Sequence, residues 1–171
     1  MPTDSATSNP SATSDPAPAR GAKRGIDPGF VGRRYPAAAA YEVSREKVRE
    51  FADAIGDPNP AYRDRNAALA LGHPEVIAPP TFPFVLSLRA SEVVVADPAL
   101  GIDYSRVVHG EQSFAYTRPV RVGDVLTVTV TVADIRSAGG HSMLTTRSDL
   151  STVEGEPVVT VSTTLVVRGR E

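Results

Sequence analysis

The side chains best suited to chemistry lie in one short segment, Asp57-Pro58-Asn59-Pro60-Ala61-Tyr62, which directly follows a predicted helix. Asp57 offers a carboxylate, Asn59 an amide and Tyr62 a phenol, which are groups that hold water, orient substrates or transfer protons. A phenol has an ordinary pKa of about 10, so Tyr62 is a poor general base at neutral pH. Asp and Asn beside prolines also form turns by bonding their own backbone, and on residue type alone the turn role is favoured.

The chain has three histidines, His73, His109 and His141, and no cysteine. The histidine separations match no local metal-ligand spacing, and the lack of thiols excludes a thiolate metal site, so no metal is expected. His109 lies in a predicted strand two residues before Glu111, and a period of two turns both side chains to the same face. A His/Glu pair of this kind suits acid–base catalysis. His73 and His141 fall in loops, where surface positions are expected.

Helices are predicted on both sides of this segment. Apolar residues recur at i, i+3, i+4 and i+7 before it, which indicates an amphipathic helix that begins after Ser44 as N-cap and ends at Gly56. The residues of that apolar face are Val48, Phe51, Ala52 and Ile55. A short Ala/Leu-rich helix is predicted over 64–71, and a longer, mostly apolar helix over about 80–95.

From residue 104 onward the apolar period changes to two, most clearly over 126–132. The pattern predicts strands at about 105–117, 124–136, 142–152 and 157–168, joined by Gly-containing turns into an antiparallel meander. Helices that precede strands rather than alternate with them indicate α+β architecture, with one curved antiparallel sheet packed on a helix. Neither a Rossmann nor a P-loop glycine motif occurs, so a nucleotide cofactor is not expected.

Length and composition limit the remaining possibilities. A chain of 171 residues with 18 basic and 20 acidic side chains suits one domain and argues against nucleic-acid binding. Residues 1–20 hold seven Ser/Thr and four Pro but no Leu, Ile, Val, Phe or Tyr. That composition predicts a disordered Ser/Thr/Pro/Ala-rich tail over 1–25 and a single domain over 26–171. No apolar run is long enough to cross a membrane and no secretory signal is found, which predicts a cytoplasmic protein without membrane insertion.

Gly56, Asp57, Asn59 and Pro60 match the motif Gly-Asp-x-Asn-Pro, which in the MaoC-like (R)-specific hydratase/dehydratase family continues with an aliphatic residue and a histidine. The chain resembles that family in further segments, in the same order. These are Val31-Gly32-Arg33-Arg34-Tyr35, Ala78-Pro79-Pro80-Thr81-Phe82, His109-Gly110-Glu111-Gln112 and the segment from Arg118 to Asp124. The resemblance implies the hot-dog fold, in which an antiparallel β-sheet wraps around a central α-helix.

The resemblance also implies which group Tyr62 replaces. In family members that act alone, the residue at this position is the histidine that takes the α-proton from a 3-hydroxyacyl thioester. Asp57 and Asn59 correspond to positions that handle water and substrate. The chain is therefore similar to the N-terminal-type, substrate-binding subunits of actinobacterial heterodimeric (3R)-hydroxyacyl-acyl-carrier-protein dehydratases. The segment from His109 to Gln112 likewise resembles the noncatalytic half of two-domain hydratases.

The implied function is that of a subunit of a (3R)-hydroxyacyl-thioester dehydratase or 2-enoyl hydratase in fatty-acid or related metabolism, weak or inactive alone. Pro79, Pro80, Thr81 and Phe82 would line the acyl channel, with His109 as a further substrate-binding residue, although core packing suits Phe82 equally. The substrate would be a coenzyme A or acyl-carrier-protein thioester, with no cofactor. A hot-dog partner would supply the catalytic Asp and His, unless the chain forms a homodimer.

Two alternatives stay open. One is a self-sufficient homodimeric hydratase or thioesterase that uses an unusual base. The other is a noncatalytic protein that binds acyl thioesters without turning them over. Activity of the isolated chain separates the two, because only the first would convert a 2-enoyl or acyl thioester.

Overall fold

The computed structural model describes residues 25–36 and 39–169, so the predicted tail lies outside the described residues except for Gly25. Within these ranges three α-helices precede four long strands, and two very short strands precede the helices. The elements in chain order are β1 (Arg34–Tyr35), β2 (Tyr41–Glu42), α1 (Arg45–Ala54), α2 (Arg65–Ala70), α3 (Pro83–Val95), β3 (Val107–Tyr116), β4 (Val125–Ala138), β5 (His141–Thr152) and β6 (Pro157–Val167).

Capping side chains set the ends of the first two helices close to the predicted positions. Ser44 Oγ accepts a hydrogen bond from the Lys47 amide at 3.2 Å, and Asp64 Oδ1 accepts one from the Ala67 amide at 2.8 Å. Gly56, with a φ of +69°, ends the turn after α1, a conformation that glycine adopts without strain. α3 begins at Pro83, three residues later than predicted, because proline is well suited to the first helical position.

All strands belong to one antiparallel sheet with the order β1-β4-β5-β6-β3, and β2 also pairs with β4. β4, β5 and β6 form the predicted meander, but the prediction that β3 adjoins β4 in it is wrong. β3 pairs with β6 instead, because residues 117–124 form a long connection rather than a tight hairpin. That connection contains Pro119 and Val120. The Val120 carbonyl oxygen accepts a hydrogen bond from the Ala78 amide.

The central helix lies on the concave face of the sheet, as predicted. α3 contacts β4, β5 and β6, and the side chains between them are almost wholly removed from solvent. Leu86 and Val94 of α3, and Phe82 directly before it, contribute their side chains to this buried layer. The sheet contributes alternate residues that include Val130, Val132, Leu144, Leu150 and Val161. This apolar layer is the core that holds α3 in place.

A β-bulge at Gly110 changes which side chains of β3 face inward. His109 pairs with Leu165 and Glu111 with Thr164, so one extra residue lies between two consecutive pairs. A Cβ at position 110 would lie 3.0 Å from Val166 Cγ2 and 3.2 Å from the Thr164 carbonyl oxygen, which explains the glycine. The prediction that His109 and Glu111 share a face is wrong, because the extra residue turns them to opposite faces.

Candidate functional site

The segment after α1 is a rigid turn built from its own polar side chains. Asp57 Oδ1 accepts a hydrogen bond from the Asn59 amide at 3.0 Å, and Asn59 Oδ1 accepts one from the Ala61 amide at 3.0 Å. These two bonds are the turn contacts expected of Asp and Asn beside prolines. Each side chain thus uses one oxygen to hold the backbone of residues 57–61.

Arg63, which was not singled out from the sequence, clamps this turn from the outside. Its Nη1 donates to the carbonyl oxygens of Asp57 at 2.8 Å and Asn59 at 3.2 Å, while Nη2 donates to Asp53 Oδ1 at 2.6 Å. A guanidinium that bonds two turn carbonyls and a carboxylate of α1 fixes the turn against the helix. The only sequence signal was an arginine six residues after Asp57, which by itself indicates nothing specific.

The Tyr62 side chain is buried, with 6% of its surface exposed, and its hydroxyl interacts with the side chains of Asp57 and Asn59. Burial, followed by the nearby Asp57 carboxylate, raises the pKa of Tyr62 above its usual value. The phenol is therefore protonated at neutral pH, more firmly than an exposed tyrosine. In this environment Tyr62 can donate a hydrogen bond but is poorly suited to act as a general base.

Tyr116, at the end of β3, closes the other side of this cluster. Its hydroxyl donates to the Pro80 carbonyl oxygen at 2.7 Å, which ties the loop before α3 to the edge strand. Burial raises the pKa of Tyr116 as well, and the Tyr62 phenol adds to the increase. The cluster of Asp57, Asn59, Tyr62 and Tyr116 thus consists of hydrogen-bond donors, acceptors and one carboxylate, without an imidazole.

A cavity of about 390 Å³ lies elsewhere, between α3 and the strands β3, β5 and β6. One face of α3 and its C-terminal end contribute Phe84, Leu88, Ser91, Glu92, Val95 and Ala96. The opposite wall consists of His109, Thr146, Thr163 and Leu165, and Tyr104 completes the lining. A mostly apolar cavity of this size with a few polar groups is typical of a small-molecule or acyl-chain site.

The structure separates the residues that the sequence placed in one channel. His109 lines the cavity, whereas Pro79, Pro80 and Thr81 precede α3 and are not part of its lining. Phe82 is fully buried in the core, where its ring meets the Phe51 ring edge to face at a centroid distance of 5.4 Å.

Phe84, two residues after Phe82, faces the cavity instead. Its ring meets the His109 imidazole edge to face, with the centroids 5.7 Å apart. Residues two positions apart lie on different sides of a helix, so these two phenylalanines have different roles.

His109 is held by hydrogen bonding along its strand. Its Nε2 lies 2.9 Å from Gln112 Oε1, and the same oxygen accepts a hydrogen bond from Thr163 Oγ1 at 3.0 Å. The bulge at Gly110 makes this contact possible, because it places Gln112 rather than Glu111 on the inner face beside His109. Sequence periodicity could not reveal this partner.

Two further features concern the described part of the chain. Within residues 25–36 and 39–169, no three histidine or carboxylate side chains converge as the ligands of a metal ion. None of the helices there has the length and hydropathy that a membrane-crossing segment needs.

Comparisons with known proteins relate this geometry to a family. A family model described as FAS1-like, dehydratase domain region, matches residues 29–161. A UPF0336 protein of Streptomyces avermitilis is 57% identical over 146 residues, which cover 85% of this chain and 97% of that protein. A UPF0336 protein of Saccharopolyspora erythraea is 56% identical over 144 residues, covering 84% of this chain and 92% of the relative.

Two solved structures share the fold at appreciable identity. The C-terminally truncated HadBC (3R-hydroxyacyl-ACP dehydratase) complex from Mycobacterium tuberculosis contains a chain 28% identical, with a TM-score of 0.72, covering 80% of this chain and 96% of that one. A MaoC-like dehydratase is 32% identical, with a TM-score of 0.76, covering 82% of this chain and 42% of that one. This chain therefore corresponds to less than half of the second protein.

Proposed function

This chain belongs to the family of FAS1-like dehydratase domains, and from that membership we propose that it is the substrate-binding subunit of an acyl-thioester hydratase or dehydratase. The resemblance to MaoC-like proteins and the hot-dog fold, both expected from the motifs, are confirmed by the family match and the shared folds. What we propose beyond the family and the fold is that this chain acts as a subunit and that it lacks a catalytic base.

The observation that carries the proposal is the state of Tyr62. Dehydration of a 3-hydroxyacyl thioester removes a proton from C2 and the hydroxyl group from C3 as water, which leaves a C2–C3 double bond. A base near neutral pKa must take the C2 proton. The motif position that would supply a histidine holds a buried, protonated phenol, and neighbouring Asp57 and Asn59 each use an oxygen to form the turn. This cluster therefore supports a binding or structural role.

The cavity under α3 supports the substrate-binding role. Its lining is mostly apolar, and its volume of about 390 Å³ corresponds to roughly a dozen non-hydrogen atoms at ~30 Å³ each. On this proposal the cavity holds the acyl chain of a coenzyme A or acyl-carrier-protein thioester. The reaction needs no cofactor, because the acid and base groups can come from protein side chains.

The edge of the sheet supports a partner. β3 pairs only with β6, so its other side leaves backbone N–H and C=O groups unpaired within the described chain. Exposed apolar side chains lie near this edge, namely Val108 on β3 and the cavity-lining residues Leu88 and Tyr104. A second hot-dog subunit would cover this edge, and on this proposal it carries the catalytic Asp and His.

The test measures hydration of trans-2-decenoyl-CoA and of the corresponding acyl-carrier-protein thioester. We expect little turnover by the isolated chain and clear turnover after addition of a hot-dog protein from the same genome that carries the intact Asp and His. A positioned general base contributes about 10²–10⁴-fold, so the difference is readily measured. In the complex, Tyr62→Phe should change turnover by less than about threefold, because the variant removes a hydroxyl group that is not the base.

Two outcomes would contradict the proposal. Robust turnover by the isolated chain that Tyr62→Phe abolishes would make this a self-sufficient enzyme with a catalytic tyrosine. Binding of the thioester without turnover, alone and with every such partner, would make it a noncatalytic acyl-thioester-binding protein. Tyr41→Phe, on β2 and outside both the turn cluster and the cavity, is the matched control for removal of a phenolic hydroxyl.

A further inference from the structure

Burial divides the lining of the cavity into a floor and a mouth. At the floor, only 2% of Thr146 and 9% of Thr163 is exposed. At the mouth, Leu88 is 48% and Tyr104 65% exposed, and the Glu92 side chain is exposed beside them. A cavity of about 390 Å³ holds a short acyl chain but not coenzyme A or a carrier protein. A bound chain therefore directs its tail to the floor and keeps its head at the mouth.

Glu92 gives this mouth a negative charge that no neighbouring cation balances by contact. Among the described residues that line the cavity there is one carboxylate, Glu92, and no lysine or arginine. Within the described chain the Glu92 carboxylate forms neither an ion pair nor a hydrogen bond. By contrast, the carboxylates that follow α3, Asp97 and Asp103, pair with Arg33 and Arg106. The charge of Glu92 is thus left to act on whatever occupies the mouth.

The C-terminal end of α3 adds to the negative potential at the mouth. Val95 and Ala96, the last helical residue and its C-cap, both line the cavity. The carbonyl groups at the end of a helix carry a partial negative charge, which basic side chains in the last turn usually offset. The last turn of α3 has no basic residue and instead contains Glu92. The carboxylate and the helix end therefore both make the mouth unfavourable for an anion.

We propose that Glu92 is a specificity-determining residue that lets the cavity accept acyl chains with an uncharged head and reject free fatty acids. The head of an acyl thioester is uncharged, whereas a fatty acid is a carboxylate at neutral pH. At the mouth that carboxylate would be repelled by Glu92 and by the end of α3. The site thus stays available to thioesters when hydrolysed chains are present. This inference rests on the proposed function, since it takes the cavity to be the acyl site.

The experiment compares three eight-carbon ligands that differ in the charge of the head: octanoate, octanamide and octylammonium. Each is titrated into the full-length chain by calorimetry at pH 8 and low salt, together with S-octanoyl-N-acetylcysteamine as the thioester. Two unit charges 4 Å apart in water change an affinity by about fivefold. We expect octanoate to bind about three- to tenfold more weakly than octanamide, and octylammonium to bind more tightly by a similar factor. Both differences should shrink in 1 M salt, which screens the charges.

Glu92→Gln removes the charge and keeps the shape of the side chain. In this variant octanoate should gain, and octylammonium should lose, about three- to tenfold in affinity relative to octanamide. Each ratio is taken within one protein, so a general change in the cavity cancels. Glu111→Gln is the matched control, because Glu111 is an exposed glutamate of β3 that lies outside the lining. Its ratios should equal those of the wild type.

Three outcomes would overturn the inference. These are equal binding of octanoate and octanamide, a preference that Glu92→Gln leaves intact, and a shift of octanoate and octylammonium in the same direction, which would indicate shape rather than charge. In each of them the thioester still binds, so the acyl site of the proposed function stands. If neither the thioester nor octanamide binds, that acyl site fails together with the inference.

Discussion

Replacing Arg118 by methionine tests the most completely bonded charge in the structure. Its guanidinium donates to both carboxylate oxygens of Asp124 at 2.9 and 3.1 Å, to both of Glu156 at 2.8 and 3.0 Å, and to the Pro119 carbonyl oxygen. Arg118 and Asp124 are each only 12% exposed, so Asp124 would become a nearly buried carboxylate with one remaining donor, the Arg121 amide at 2.8 Å. Glu156, which is half exposed, would be rehydrated at little cost.

Breaking a fully buried ion pair on one side costs about 3–5 kcal/mol, and the partial exposure here lowers the expected cost to about 3 kcal/mol. For a domain of this length that corresponds to a fall in Tm of about 6–12 °C. Thermal and urea unfolding followed by circular dichroism measure both quantities.

The matched control for Arg118→Met is Arg136→Met. Arg136 lies 3.8 Å from Asp134, and both side chains are more than half exposed, so the free energy of unfolding should change by less than about 0.5 kcal/mol. Equal effects of the two variants would refute the reasoning, because they would show that the bonds of Arg118 contribute no more than an exposed pair. The double variant Arg118→Met/Asp124→Asn has no unpaired carboxylate at position 124, so it should lose less stability than Arg118→Met alone. An equal loss would show that the stabilisation by Arg118 does not come from its bonds to Asp124.

Gly110→Ala should lower the free energy of unfolding by about 1–3 kcal/mol, because its Cβ would lie 3.0 Å from Val166 Cγ2, and an unchanged urea midpoint would show that the bulge relaxes freely. The Tyr35 hydroxyl donates to Asp97 at 2.8 Å, which lowers the pKa of Asp97, while burial and this bond raise the pKa of Tyr35 to about 12. The carboxylate therefore stabilises the fold above pH 4 and loses this effect on acidification, and the phenol stabilises it below pH 10 and loses this effect as the pH approaches 12. Unfolding at a series of pH values should accordingly show a stability gap between wild type and Tyr35→Phe that is constant from about pH 5 to 9 and narrows on both sides; a flat gap would contradict this assignment. Tyr62→His should give the isolated chain weak hydration of 2-enoyl thioesters, because a carboxylate already lies beside that side chain; no activity above wild type would show that the turn cannot orient an imidazole.

Local sequence signals predicted the elements that depend on local interactions. α1 and α2 begin at capping side chains, Ser44 and Asp64, which are readable because a cap acts within three residues. β4, β5 and β6 were predicted from a period of two and from glycine turns such as Gly139-Gly140. β1 and β2 were missed, since two residues are too few to show any period.

The candidate site was less predictable, because it depends on contacts between distant residues. The turn role of Asp57 and Asn59 follows from residue type, but the burial that raises the pKa of Tyr62 depends on the fold. Because of the bulge at Gly110, His109 lies beside Gln112 instead of Glu111. A single glycine in a strand can indicate a bulge, but it does not show which neighbouring side chains the bulge turns inward.

The position of β3 in the sheet has a consequence for the order of folding. β4 and β5 begin to pair at residues three apart, Ala138 and His141, whereas β3 pairs with β6 over separations of 43 to 60 residues. Closing the longer loop has the greater entropic cost, so among the four long strands we expect β3 to join after the hairpins have formed and to detach first in native-state hydrogen exchange. Among these four strands, the one that carries His109 and Gln112 is thus the last to arrive, and any molecule that binds the cavity, or any subunit that covers this edge, would slow amide exchange along β3 more than along β4, β5 or β6.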